Sequence, residues 1–103
     1  MSILARLAAG LAALALAASA GAQGHTRVRF SLDWIVQGQH APFLLAQQKG
    51  YYKDEGLDVT IDVGNGSAGT ITRVASGAYD MGFADLSSMI EYLGNNPGTP
   101  RLQ

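Results

Sequence analysis

The sequence predicts an α/β protein with a mostly parallel sheet and helices on both faces. Segments in which apolar and polar residues alternate are separated by segments with apolar residues at helical spacing. Glycine, asparagine and proline mark several of the turns between these segments. The resulting order, β-α-β-α-β-α, is typical of parallel sheets whose helices pack against the sheet.

The first strand is predicted at residues 27–33. Its apolar residues share one face: Val28, Phe30 and Leu32. The helix that follows should begin near Ala41, because Pro42 suits a first turn, where its missing N–H costs nothing. Lys49 suits the negative end of the helix dipole, and Gly50 is typical of the position after a helix.

The second strand is predicted at residues 57–63, and its polar second face favours a place at the edge of the sheet. A glycine-rich loop follows, with Ser67 as the predicted N-cap of the second helix. Apolar residues at helical spacing continue this helix: Ile71, Val74, Ala75 and Ala78.

A short third strand is predicted at residues 79–83, and Asp85 is expected to cap a third helix. That helix should end at residues 94–98, which contain two glycines, two asparagines and a proline. Its apolar stripe is expected to be buried: Leu86, Met89, Ile90 and Leu93.

The composition excludes several classes of function. The formal net charge is -1, without a long basic run, so we expect neither nucleic acid nor an anionic membrane as a partner. The chain has no cysteine, which removes disulfides, thiolate nucleophiles and cysteine-type zinc sites. His40 has no second histidine or carboxylate at metal-ligand spacing, so no metal site is predicted.

Residues 1–22 have the layout of a secretory signal peptide, with cleavage expected after Ala22 and a periplasmic destination. Arg6 supplies a positive charge, an Ala/Leu-rich run follows, and small residues precede the cleavage position. The apolar run is too short to span a bilayer, which takes about 20 apolar residues. The alternative is a buried helix of the fold.

Residues 23–103 are expected to be one part of a binding lobe rather than a finished domain. Three strands and three helices rarely complete a parallel sheet, and residues 101–103 resemble the start of another strand. A ligand cleft also needs more surrounding protein surface than this segment supplies. A complete small domain is the alternative.

Three strand-to-helix loops should open on the same edge of the sheet, where open α/β sheets bind ligands. Their side chains suit a small polar or aromatic ligand. The candidate binding residues are Asp33, Trp34, His40, Asn65, Gly66, Ser67 and Asp85.

Each candidate has a second interpretation. Trp34 either stacks on a planar ligand or fills the core under the first helix. His40 either donates a hydrogen bond to a ligand or helps to cap that helix, and Asp33 either binds an amino group or fixes its loop. Residues 64–69 either hold an anion at a helix start or form a plain turn, and for Asp85 a helix cap is favoured over ligand contact.

The serines of the chain indicate no catalysis. Ser67, Ser87 and Ser88 lack the elbow motif of a nucleophile. No nucleophile–base pair is visible, so the chain is predicted not to be an enzyme and to need no cofactor.

Residues 30–92 closely resemble the SsuA/THI5-like (NMT1/THI5-like) family, to which substrate-binding proteins of ABC importers belong. The matching segments are LDW at residues 32–34, HAPF at 40–43, AQQKGYYKDEGL at 46–57 and VASGAYDMGFAD at 74–85. The resemblance implies a periplasmic-binding-protein type II fold with two lobes that close on a ligand, of which this chain is part of the first. It also implies delivery of the solute to a membrane permease, and we expect a monomer.

Two departures from the family pattern bear on function. Val36 and Gln37 replace a proline–asparagine pair of the thiamine-precursor branch, which leaves a pyrimidine precursor, a sulfonate such as taurine and related nitrogenous compounds as candidate ligands. The fungal pyrimidine-synthase enzymes carry a pyridoxal-phosphate lysine and a histidine where this chain has Ala84 and Ser88.

The resemblance therefore predicts a periplasmic solute-binding component of an ABC importer for a small organic molecule. One alternative is a pyrimidine-synthesis enzyme of the same family. The other is a truncated fragment without a function of its own.

Overall fold

Strand β1, Thr26–Ser31, lies at the centre of a three-stranded parallel sheet. A computed structural model describes residues 24–99 and residue 102. In it β1 pairs along its whole length with β2, Leu57–Asp62, and at its last two residues with β3, Met81–Gly82. The predicted α/β class with a parallel sheet is confirmed, and it is compatible with part of a periplasmic-binding-type lobe.

The first helix, α1, spans Ala41–Gln48 and begins where the sequence predicts, with proline in its first turn. A short second helix, α2, spans Tyr51–Asp54. The sequence did not predict this helical turn. The Tyr52 hydroxyl donates to the Phe43 carbonyl oxygen at 3.0 Å, which ties α2 back to α1 before the chain enters β2.

Helix α3 spans Ser67–Ala75, and helix α4 spans Leu86–Asn95. The prediction that Ser67 caps α3 is wrong, because Gly66 is the N-cap and no side chain caps this end. Gly66 has φ +113, a conformation that glycine adopts without strain. The prediction that Asp85 caps α4 is confirmed, since its carboxylate accepts from the Ser88 N–H at 3.1 Å.

Helices cover both faces of the sheet. Consecutive residues of β1 point to opposite faces, so neighbouring residues of this strand contact different helices. The Phe30 ring lies 5.0 Å from the Phe43 ring of α1, measured between centroids. On the other face, Ser31 accepts a hydrogen bond from Arg73 of α3. The core of the described residues is small and includes Leu32, which is fully buried.

The prediction that the apolar stripe of the third helix, now α4, is buried is wrong. Leu86 is 69% exposed and Ile90 is 63% exposed, and Leu93 is also exposed. The helix forms where its pattern indicates, but only α3 packs against it with substantial contact among the described residues. The third strand is also shorter than predicted, two residues instead of five.

The predicted signal peptide, residues 1–22, lies outside the described residues. Within residues 24–99, none of the helices has the length and apolar character needed to cross a membrane.

Candidate functional site

The loops that follow β1 and β2 are joined by two backbone hydrogen bonds. The Gly66 N–H donates to the Asp33 carbonyl oxygen at 2.6 Å, and the Gly64 N–H donates to the Trp34 carbonyl oxygen at 3.3 Å. Both loops leave the carboxyl ends of neighbouring parallel strands. The predicted convergence of these loops at one sheet edge is therefore present in the structure.

Gly64 makes the closest approach between these loops. A Cβ atom built on this residue would lie 2.0 Å from the Leu32 carbonyl oxygen and 2.8 Å from the Asp33 carbonyl carbon. No side chain fits at either distance, because both neighbours are backbone atoms. Sequence reasoning placed Gly64 in a flexible turn and missed this requirement, which depends on the contact between two loops.

The loop that follows β3 joins the same edge. The Asp85 N–H donates to the Ser67 hydroxyl oxygen at 2.9 Å, so Ser67 connects the start of α3 to the start of α4. Hydrogen bonds from the Ser87 hydroxyl and the Ser88 N–H lower the pKa of the Asp85 carboxyl below its usual value. Asp85 therefore serves as an ionised helix cap at the rim of the candidate site.

Trp34 lies at the tip of the first loop, and its side chain is 44% exposed. It therefore does not fill the core under α1, which was the alternative interpretation. Ile35 and Val36 beside it are also exposed. Stacking of Trp34 on a ligand stays a prediction, and the exposed ring is available for it.

His40 lies behind the loop and has no exposed surface. Its Nδ1 accepts from the Gln37 N–H at 3.0 Å, and its Nε2 lies 2.8 Å from Asp33 Oδ1. His40 is the N-cap residue of α1, but its side chain makes no capping hydrogen bond. Its direct contact with a ligand stays a prediction, and the observed contacts place both ring nitrogens within the loop.

Asp33 makes contacts through its side chain and through its backbone. Its carboxylate lies within hydrogen-bond distance of His40 Nε2, and its carbonyl oxygen accepts from the Gly66 N–H. This arrangement fits the second interpretation of Asp33, in which it fixes its loop. Asn65 is exposed next to Gly66 at the rim. Its contact with a ligand stays a prediction.

Thr70 is a further residue that sequence reasoning missed. It is almost completely buried, and its hydroxyl donates to the Leu32 carbonyl oxygen at 2.9 Å. It thereby anchors α3 to the end of β1, directly below the joined loops. The sequence did contain a signal for this burial: Thr70 lies four residues before Val74, which places it on the apolar face of the helix.

An open groove of 460 Å³ borders the site along the free edge of β3. It reaches from Asp85 and Ala84 in the third loop past Met81 to Leu102. Its apolar lining includes Ile71 and Val74 of α3 and Leu86 and Met89 of α4. The polar groups of the candidate site and the exposed indole of Trp34 lie at the joined loops instead.

The residues at this edge do not fit pyridoxal phosphate bound as a Schiff base, which needs a lysine. The two lysines of the chain are Lys49, at the end of α1, and Lys53, in α2. Both precede β2 and lie towards the edge where that strand begins, opposite the joined loops. Among the described residues, no group of three or more histidine, aspartate or glutamate side chains is placed to hold a metal ion.

Comparison with known proteins identifies relatives of this chain. The model of the family described as NMT1/THI5 like matches residues 37–98. A 4-amino-5-hydroxymethyl-2-methylpyrimidine phosphate synthase of Aspergillus parasiticus is 40% identical over 57 residues, which are 55% of this chain and 17% of that protein. The THI5 synthase of Saccharomyces cerevisiae is 37% identical over 67 residues, which are 65% of this chain and 19% of that protein.

These relatives are much longer than the chain, which spans less than a fifth of their length. No solved structure matches it significantly. The prediction that the chain is not an enzyme is contradicted, because the curated relatives are named as synthases of a pyrimidine phosphate. The absence of a nucleophile–base pair in this segment misled the prediction, since the segment corresponds to a small part of each relative.

Proposed function

The chain belongs to the NMT1/THI5-like family, and from this premise we propose that it is the pyrimidine-binding part of a pyrimidine phosphate synthase-like protein. The proposed ligand is a flat, amino-substituted heteroaromatic ring that carries an anionic group. The names of the relatives support the ring and the phosphate. The chemistry of the three loops supports the same combination.

The observation that carries the proposal is the pair of hydrogen bonds that joins the loops after β1 and β2. They hold the exposed indole of Trp34 next to the uncapped amino end of α3. An indole stacks on a planar ring. The free N–H groups and dipole of a helix start favour a phosphate. A phosphorylated pyrimidine uses both features at once.

A second candidate is the solute-binding component of an ABC importer, located in the periplasm and paired with a permease. Two sequence observations favour it: Ala84 and Ser88 stand where the related enzymes carry lysine and histidine, and residues 1–22 have a signal-peptide layout. In this candidate the same loops bind the pyrimidine for delivery rather than for synthesis.

Fluorescence titration of the 103-residue chain tests the shared binding step, because Trp34 is its only tryptophan. We expect saturable quenching by 4-amino-5-hydroxymethyl-2-methylpyrimidine and tighter binding of its phosphate. Taurine, a zwitterion with an anionic sulfonate group but no ring, is the control and should leave the emission unchanged. The absence of saturable change with both pyrimidines contradicts the proposal.

The mass of the protein recovered from expressing cells separates the two candidates. A periplasmic product that begins at Gln23 supports the importer. A product that retains residues 1–22 and stays in the cytoplasm supports the synthase-like protein.

A further inference from the structure

We propose that His40 is a positioning residue that sets the orientation of Trp34 through Asp33. The inference rests on the proposed function, in which Trp34 stacks on the ligand. His40 itself has no exposed surface and does not need to touch that ligand. Its effect on binding passes through the hydrogen bond to Asp33.

The contacts of the imidazole fix the position of its proton. The Gln37 backbone N–H can only donate, and it points at His40 Nδ1 at 3.0 Å. The neutral ring therefore carries its proton on Nε2, which donates to Asp33 Oδ1 at 2.8 Å. A backbone amide thus selects the tautomer that holds the Asp33 carboxylate.

The ring is also held in place by its neighbours. The rings of His40 and Phe83 pack edge to face, with their centroids 5.5 Å apart and their planes at 88°. The Phe83 N–H donates to the Ser31 carbonyl oxygen at 2.9 Å, so Phe83 is anchored to the central strand. His40 is therefore fixed relative to the sheet and passes this constraint to Asp33.

Trp34 follows Asp33 directly and takes its backbone direction from it. The backbone N–H groups of Gly66 and Gly64 donate to the carbonyl oxygens of Asp33 and Trp34, respectively. His40 also forms a hydrogen bond with the Asp33 carboxylate. Residues 34–36 are exposed between these fixed points and Gln37. An indole that is ordered before the ligand arrives avoids part of the ordering cost of binding. His40 thus contributes to affinity from a distance.

Two substitutions of His40 test the roles of its two ring nitrogens separately. The His40→Gln side chain reaches the region of Nε2 and can still donate to Asp33. The His40→Asn side chain reaches only the region of Nδ1 and leaves Asp33 unpaired. His25→Gln is the matched control, because His25 is the other histidine of the chain and is exposed outside the sheet.

The readouts are the fluorescence anisotropy of Trp34 without ligand and the affinity for the pyrimidine phosphate. His40→Asn should lower the anisotropy and weaken binding about tenfold, as expected for loss of a hydrogen bond to a charged group. His40→Gln and His25→Gln should keep both values. If His40→Asn does not fold, Asp33→Ala should produce the same drop in anisotropy.

The outcomes separate this inference from the proposed function. If the asparagine and glutamine variants lose stability equally and leave the anisotropy of Trp34 unchanged, His40 has only a structural role and the inference is wrong. If the unmodified chain binds neither pyrimidine, the proposed function fails. The anisotropy of the folded variants still decides whether His40 positions Trp34.

Discussion

The joined region, residues 26–75, and the open region, residues 81–95, are both built from segments with clear sequence patterns, but the buried apolar side chains among the described residues, Phe30, Leu32 and Ile71, all lie in the first. In the joined region, β1 and β2 pair over six residues. In the open region, β3 pairs over two residues, and the apolar face of α4 is largely exposed. A pattern in sequence determines which element forms, whereas burial depends on a facing element.

The largest effect should come from Gly64→Ala in the joined region. The added Cβ would lie 2.0 Å from the Leu32 carbonyl oxygen, so the two loops would have to separate. We expect a loss of at least about 3 kcal/mol in the free energy of unfolding, at the upper end for overpacked sites. Urea unfolding followed by circular dichroism measures it.

Gly94→Ala is the matched substitution in the open region. Gly94 lies within α4, and a Cβ there would meet nothing within 4 Å. Alanine is favoured over glycine in a helix by about 0.8–1.0 kcal/mol, so this variant should be slightly more stable. Equal destabilisation by both variants would mean that the two regions do not differ in packing.

Ile71→Ala should have the second largest effect. Ile71 of α3 is 4% exposed, and it borders the open groove beside β3, where the structure can relax. We expect a loss of about 2.5 kcal/mol, in the lower part of the range for buried isoleucine. The shift of the urea midpoint measures it.

Ile90→Ala makes the same chemical change in the open region. Because Ile90 is 63% exposed, its truncation should change stability by less than about 0.5 kcal/mol. A loss similar to that of Ile71→Ala would indicate that α4 is covered in solution, for example by self-association. A concentration-dependent midpoint would then identify that association.

The two regions also show how far the sequence predicts the structure. Alternation located β1 and β2, Pro42 and Gly50 located the ends of α1, and Asp85 was recognised as a cap from its position alone. The exposure of Leu86 and Ile90 was not predictable, because a helical stripe does not reveal whether another element covers it. At the site, the convergence of loops followed from parallel topology, but the enclosure of His40 and the requirement for Gly64 depend on contacts between loops.

The smallest effect concerns the exposed ion pair that links the regions. Asp80, just before β3, accepts hydrogen bonds from the Arg29 side chain and backbone N–H, and these lower its carboxyl pKa below the usual 3.8. A lowered pKa in the folded state contributes stability above the unfolded value, and this is lost as the pH falls through the folded value. Asp80→Asn should therefore lower the urea midpoint slightly at pH 7 and leave it unchanged once the pH lies below the lowered pKa of the Asp80 carboxyl.

Asp54→Asn, an exposed carboxylate on α2, is the control for the general effect of charge. Since salt screens exposed pairs, 1 M sodium chloride should also reduce the difference between Asp80→Asn and the unmodified chain. A difference that persists at low pH or high salt would show that Asp80 acts through its hydrogen-bond geometry rather than its charge. The link between the two regions would then depend on the hydrogen bonds that the Asp80 side chain accepts from Arg29 more than on its charge.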